Sequence, residues 1–81
     1  MKLVLQRGIF YCRIQDWHGA TEDFTQILRV QKDLTNVLYL RAGAYRCSRK
    51  WQRAIDDYEA ILAINPNDTN ALIGLQEINQ K

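Results

Sequence analysis

Residues 17–32, WHGATEDFTQILRVQK, and residues 51–66, WQRAIDDYEAILAINP, are one pattern written twice, 34 residues apart. The offset superposes Trp17 on Trp51, Ala20 on Ala54, Asp23 on Asp57, Ile27 on Ile61 and Leu28 on Leu62, and it pairs Phe24 with Tyr58 and Val30 with Ile64. Carried towards the N-terminus without a gap, it also brings Val4 to Leu38, Arg7 to Arg41, Gly8 to Ala42 and Tyr11 to Tyr45. A fixed period of ~20–50 residues is the signature of stacked repeats, in which each supersecondary unit buries its apolar face against a neighbour.

Within each unit the apolar and small positions keep helical spacing: Val4, Gly8 and Tyr11 in a first segment, then Ala20, Phe24, Ile27 and Leu28 in a second. Each unit is therefore a pair of helices. Gln15 and Asp16 separate the first pair, with Asp16 placed to cap the helix that carries Trp17, and residues 48–50 join the second pair. Asn65-Pro66-Asn67-Asp68 closes the second unit, because proline cannot continue a helix and Asp68 can cap the next one. The first boundary has Gln31, Lys32 and Asp33 with no proline, and Asp33 is the expected cap there. Beyond Asp68, Leu72, Leu75 and Ile78 keep helical spacing among polar neighbours, so a terminal helix is expected whose apolar stripe covers the last open face of the stack. The expected organisation is one domain, 1–81, with repeat one at 1–34, repeat two at 35–68 and a capping helix or partial third repeat at 69–81.

Composition narrows the function classes. The chain has 81 residues, 47% hydrophobic and 25% charged, with a net charge of +2. Such a length buries only about 60% of the unfolded surface, so the core is thin, and an enclosed cleft between two lobes does not fit. A binding surface is expected rather than an enzyme. Two Trp, four Tyr and two Phe argue against disorder. No apolar run approaches the ~18 residues of a membrane span, and Leu3-Val4-Leu5 is too short for a signal peptide, so a soluble chain of the cytoplasm or nucleus is expected. The overall charge is too weak to argue for nucleic acid. A local excess at Arg46, Arg49, Lys50 and Arg53 has two readings, an acidic partner or a solvated helix connection anchored by Trp51, and the second is preferred.

Several residues invite a chemical role and are read otherwise. Cys12 and Cys47 have neither C-x-x-C spacing nor a histidine cluster, so reduced thiols are expected, with no metal and no cofactor. His18 is expected to be a surface residue, with no Cys, Ser or carboxylate serving it as a general base. Asp56, Asp57 and Glu59 read as a solvated helix face with one internal pair, since adjacent carboxylates on a helix point apart. Asn67-Asp68-Thr69 fits a glycosylation sequon but reads as a turn and helix start.

The pattern resembles the tetratricopeptide repeat family, whose unit also has 34 residues. Gly8, Tyr11, Ala20 and Phe24 carry the resemblance in the first unit, and Ala42, Tyr45, Ala54, Tyr58 and Pro66 in the second; Trp17 and Trp51 fill the aromatic place before the alanine. Ile27 and Ile61 stand where the family commonly has Ala, and Lys32 replaces the proline. The resemblance implies an all-α fold, a right-handed superhelix of two helix-turn-helix units plus a C-terminal capping helix. The small residues have their own physical reason, since Gly8, Ala42, Ala20 and Ala54 let helices approach closely beside large rings. Arg7 and Arg41 stand where the family often has Leu, and Asp23 and Asp57 recur at the same offset. The acids and bases either pair across the two helices of each unit or are all solvated, and recurrence favours pairing.

In this family the first helix of each unit lines the concave surface. That implies a binding face made of Lys2, Leu5, Gln6, Ile9 and Arg13, then Asn36, Tyr39, Leu40, Gly43 and Arg46, then Asn70, Ile73 and Glu77. Leu5, Ile9, Tyr39, Leu40 and Ile73 lie off the core stripes and are expected to have no internal partner. An apolar face edged by Lys2, Arg13 and Arg46, with room at Gly43, suits an extended or helical segment with apolar anchors and some acidic character. Members that clamp the C-terminal carboxylate of heat-shock chaperones use Lys and Asn on these helices; the matching places here hold Leu5, Ile9, Leu40, Asn70 and Gly74, so no carboxylate clamp is expected. The expected function is a protein-interaction scaffold with a protein or peptide partner, and no nucleic acid or membrane. The alternative is a structural segment of a longer array, or a self-associating homo-oligomer, with no peptide ligand of its own.

Overall fold

The computed structural model describes residues 2–79, residue 2 by its backbone alone. Five helices follow one another: α1 Lys2–Arg13, α2 Trp17–Val30, α3 Thr35–Cys47, α4 Trp51–Ile64 and α5 Thr69–Asn79, with no strand among the described residues. Each helix packs on the next, and α3 also touches α5. This is an all-α helical repeat. Its extents of 32 × 25 × 16 Å fit a slab two helices thick, because packed helix axes lie ~8–10 Å apart.

The turn inside each helix pair is built identically. Asp16 N–H donates to the Tyr11 carbonyl at 2.8 Å and Lys50 N–H to the Tyr45 carbonyl at 2.8 Å, with Gln15 and Arg49 between them at φ 62° and 65°. A residue in the left-handed region that closes a six-residue hydrogen-bonded loop is the Schellman ending, where glycine is the usual occupant. Both repeats place a long polar side chain there instead. Asp16 caps α2 as its position suggests, accepting from the Gly19 N–H at 3.1 Å, and Asp68 accepts from the Ala71 N–H at 3.0 Å at the start of α5.

Asp33 does not cap α3. The helix starts one residue later, with Leu34 at the cap position and no side-chain bond. Leu34 is the 34-residue equivalent of Asp68, and it packs against the core, so burial of an apolar side chain replaces a polar cap at that boundary.

Two rings organise the core. Phe24 and Tyr58 are fully buried at equivalent places, and burying a side chain of that size contributes roughly 1.5–3 kcal/mol. Each lies against a glycine on a facing helix: a Cβ on Gly8 would stand 2.7 Å from the Phe24 ring, and one on Gly74 would run into the Tyr58 ring. Of the Leu72, Leu75 and Ile78 stripe read from the sequence of α5, Leu75 and Ile78 pack against the core, but the docking face is rotated away from Leu72. Ala71, Gly74 and Ile78 are buried, whereas Leu72 stays 49% exposed. The small residues permit the close approach over Tyr58, and that rotation turns Leu72 outwards.

Candidate functional site

Two ion pairs hold the first helix of each pair to the second. Arg7 donates to Asp23 through Nε and Nη2, both at 2.8 Å. Arg41 donates to Asp57 through Nε at 2.8 Å and Nη2 at 2.7 Å, and its Nη1 reaches the Thr25 hydroxyl of the preceding pair at 3.1 Å. The fork-on-carboxylate geometry is the strongest that these side chains make. It raises both guanidinium pKa values, chiefly through the hydrogen bonds to Asp23 and Asp57. The pairs differ in depth, since the Arg7 side chain is 54% exposed and that of Arg41 only 19%. Asp57 accordingly leaves the solvated face on which Asp56 and Glu59 remain.

The residues expected on the binding face fall into three groups. Asn36, Tyr39, Leu40 and Asn70 come together, with Thr35 and Asp68, around an open pocket of about 390 Å³ where α3 and α5 begin. Gln6, Ile9 and Arg13 line a second pocket of about 300 Å³ on α1, with Phe10. Arg46 and Glu77 meet at 2.6 Å and tie α3 to α5 beside Cys47 and Trp51. Gly43 lies on α3 between the first and last of these groups in sequence, and a Cβ built on it meets nothing within 4 Å. The side chain of Lys2 lies outside the described residues.

Two expectations about this face are corrected. Leu5, Ile9 and Leu40 do have internal partners, being partly buried against the core, because a helix flanked by two neighbours uses a wider apolar arc than one stripe. Tyr39 and Ile73 remain exposed, at 39% and 48%, although Tyr39 also leans on the buried Tyr58 ring with centroids 6.1 Å apart. The basic edge is likewise reduced. Glu77, 31 residues away and on the same face, neutralises Arg46, which leaves Arg13 as the exposed cation of this set among the described side chains.

Thr35, Asp68 and Phe10 line these pockets without having been singled out for binding. Thr35 and Asp68 adjoin Asn36 and Asn70 at aligned helix starts, so the repeat register itself was the signal that places them together. His18 has a carboxylate neighbour after all, Glu22 one turn on, with Nε2 and Oε1 3.3 Å apart. Both side chains are mostly solvated, at 78% and 66%, and lie at the rim of an open pocket between α2 and the start of α4. No group of three His, Cys, Asp or Glu side chains is arranged to hold a metal ion among the described residues, and no helix there is long and apolar enough to cross a membrane.

Residues 35–68 match the family described as Tetratricopeptide repeat. Among curated proteins, human serine/threonine-protein phosphatase 5 is 28% identical over 74 residues, covering 91% of this chain and 15% of the phosphatase. Mouse sperm-associated antigen 1 is 29% identical over 68 residues, covering 84% of this chain and 8% of that protein. Among solved structures, the first TPR of Spaghetti (RPAP3) bound to the HSP90 peptide SRMEEVD superposes with a TM-score of 0.89 at 27% identity, covering 96% of this chain and 62% of that one. The second TPR domain of human RPAP3, in complex with the HSP70 peptide SGPTIEEVD, gives a TM-score of 0.88 at 26% identity, covering 98% and 66%. The chain thus spans a small fraction of the curated relatives and under two thirds of the solved domains, and a match of that extent does not carry a phosphatase activity with it.

Proposed function

We propose that this tetratricopeptide-repeat chain is a protein-interaction module, not an enzyme, which takes a peptide or helical segment on the shared face of α1, α3 and α5. Peptide binding by the two solved relatives supports the general reading. The observation that carries the choice of face is Gly43. A helix-interior glycine destabilises by roughly 0.5–1 kcal/mol relative to alanine. At Gly8 and Gly74 packing requires the missing Cβ; at Gly43 no described atom does, and Gly43 lies one turn along α3 from Tyr39 and Leu40, which line the pocket with Asn36 and Asn70. Exposed Tyr39 and Ile73, with the Asn36 and Asn70 amides in the pocket that Tyr39 lines, suit apolar anchors on a backbone that needs hydrogen bonds.

The peptides held by the relatives end in Glu-Glu-Val-Asp, rich in negative charge. The places that correspond to a carboxylate clamp hold Leu5, Ile9 and Leu40, partly buried, Gly74, against Tyr58, and Asn70, the one of a residue type the clamp uses, which lines the pocket with Asn36. Our reading is therefore selection by apolar anchors rather than by a terminal carboxylate. The test is amide-shift mapping of the labelled chain with a peptide library that includes SRMEEVD in free-acid and amidated forms. Shifts at Tyr39, Leu40, Gly43 and Ile73 with apolar-anchored peptides are expected, and Gly43→Leu should abolish them while the chain stays folded. Tight binding of SRMEEVD that is lost on amidation would overturn the anchor reading.

A second reading, stacking on a further repeat or on a second copy, is favoured by a separate observation. Leu3 is 79% exposed and Phe10 55%, whereas their equivalents 34 residues later, Val37 and Ala44, are 1% and 2% exposed. A concentration-dependent dimer in light scattering, dispersed by Phe10→Glu, supports this reading for a second copy; a monomer at every concentration removes self-association.

A further inference from the structure

A second open pocket, about 300 Å³, lies between α2 and the start of α4, away from the α1–α3–α5 face. Thr25, Arg29, Tyr45, Lys50 and Arg53 line it. Its character comes from the way the two repeats differ. Across the 34-residue offset the turn keeps the same backbone bonds, and Tyr11/Tyr45, Trp17/Trp51 and Ala20/Ala54 stay matched. Yet Gln15, Asp16 and Gly19 of the first repeat become Arg49, Lys50 and Arg53 in the second, which changes the charge of the trio from −1 to +3.

That change works against the helix it begins. Asp16 caps α2, while α4 starts at Lys50 with no side-chain cap. Cations at a helix N-terminus also face the positive end of its dipole. A concession in local stability, made where the scaffold is otherwise unaltered, is the mark of a residue kept for binding.

The surroundings point to an anion. Arg29 of α2 lines this pocket and also the adjoining one, where Lys32 joins it. Arg7, Arg41 and Arg46 are each paired with a carboxylate, whereas Arg29, Lys32, Lys50 and Arg53 form no ion pair among the described residues. The pocket's own carboxylate, Glu22, lies 3.3 Å from His18, which also lines the pocket, and pairs with none of these four cations. Arg53 is held in place over the Tyr45 ring, 6.0 Å from its centroid.

We propose that this pocket binds a phosphorylated segment of a partner protein, with Arg29, Lys50 and Arg53 holding the phosphate. A phosphate monoester offers close to two charges and three acceptor oxygens to cations that line one pocket from α2 and from the start of α4, and Thr25 and Gln26 offer polar contacts to the peptide around it. The volume suits one modified side chain and its neighbours. Nucleic acid is disfavoured because Tyr45, the one phenol or indole ring in the pocket, already carries two guanidinium groups, Arg53 and Arg41, the latter at 5.6 Å, and stacked bases need a series of open rings. A membrane surface is disfavoured because no aliphatic side chain lines the pocket.

The experiment titrates the labelled full chain with a polar phosphoserine nonapeptide, its unphosphorylated twin, inorganic phosphate, phosphatidylserine vesicles and a uridine decanucleotide. Expected are shifts at Thr25, Arg29, Lys50 and Arg53 with the phosphopeptide, at least tenfold tighter than with its twin or with inorganic phosphate. The variant K50D/R53G gives α4 the two residues that the first repeat has at 16 and 19. It should bind the phosphopeptide at least tenfold more weakly and leave binding on the α1–α3–α5 face unchanged, while Lys50→Asp alone, which restores the cap, should melt higher than the parent. Undiminished phosphopeptide binding in K50D/R53G, equal affinity for inorganic phosphate, or tighter binding of the vesicles or the oligonucleotide would each overturn the proposal.

Discussion

Removing Arg41 tests how the repeats are fastened. Arg41→Met keeps the length of the side chain and deletes its charge, which leaves the Asp57 carboxylate, 6% exposed, without its two donors at 2.8 and 2.7 Å. It also cuts the 3.1 Å bond to Thr25 that joins α3 to α2. Breaking a buried pair from one side costs about 3–5 kcal/mol. With the Arg41 side chain 19% exposed, some water reaches the site, so the lower end, about 3 kcal/mol, is the working figure. A domain of this size melts roughly 4–8 °C lower for each kcal/mol lost, so Tm should fall by about 12–24 °C. That is a large share of a total stability of order ~0.05–0.15 kcal/mol per residue.

Thermal melts followed by circular dichroism, with urea titrations, read the effect. Arg7→Met should lower Tm less, because the guanidinium it removes is 54% exposed and water takes its place on Asp23. The double variant R41M/D57L, with both charges replaced by apolar side chains, should recover most of the loss. An Arg41→Met chain that melts no lower than Arg7→Met, or a double variant that recovers nothing, would refute the view that the penalty comes from an orphaned buried carboxylate.

Three further outcomes are expected. Gly74→Ala should lower Tm, since overpacking against Tyr58 costs about 1–3 kcal/mol, while Gly43→Ala should raise it through the ~1 kcal/mol of helix propensity; paired melts compare them directly. Burial pushes the Cys12 thiol above its usual pKa, with the nearby Cys47 adding to the shift, and Cys47 itself is exposed, so mass spectrometry after brief alkylation at pH 8 should find Cys47 modified well before Cys12. Burial likewise raises the Tyr58 phenol, which favours its neutral form in the folded chain; stability from this group is complete below the unfolded value of ~10 and is lost as pH rises through the folded value, so the urea midpoint should drop above about pH 10 and Tyr58→Phe should remove this component.

Local periodicity made much of this molecule legible. The 34-residue offset marks the paired helices and the choice of Asp23 and Asp57 as partners for Arg7 and Arg41, and the turn residues mark the Asp16 and Asp68 caps, because each depends on spacing along one or two adjacent helices. Reading failed where the repeat was imperfect. Leu34 took the place of a cap because its neighbours bury it, and α5 turned on Ala71 and Gly74 because Tyr58, one helix away, leaves room only for small residues. Leu5, Ile9 and Leu40 looked partnerless for the same reason: their partners lie on other helices.

Sequence alone thus determined the helical repeat and its internal register, since both follow from hydrogen-bonded turns and an apolar face of period 3.6. Tertiary structure decided what is left for a partner. Arg46 reads as a free cation until α5 brings Glu77 to within 2.6 Å, and Leu40 reads as partnerless until the stack packs it against the core. The distinction is physical: helix formation depends on neighbours three and four residues away, whereas the pairing of Arg46 with Glu77 and the exposure of each face depend on side chains distant in sequence that only packing brings near.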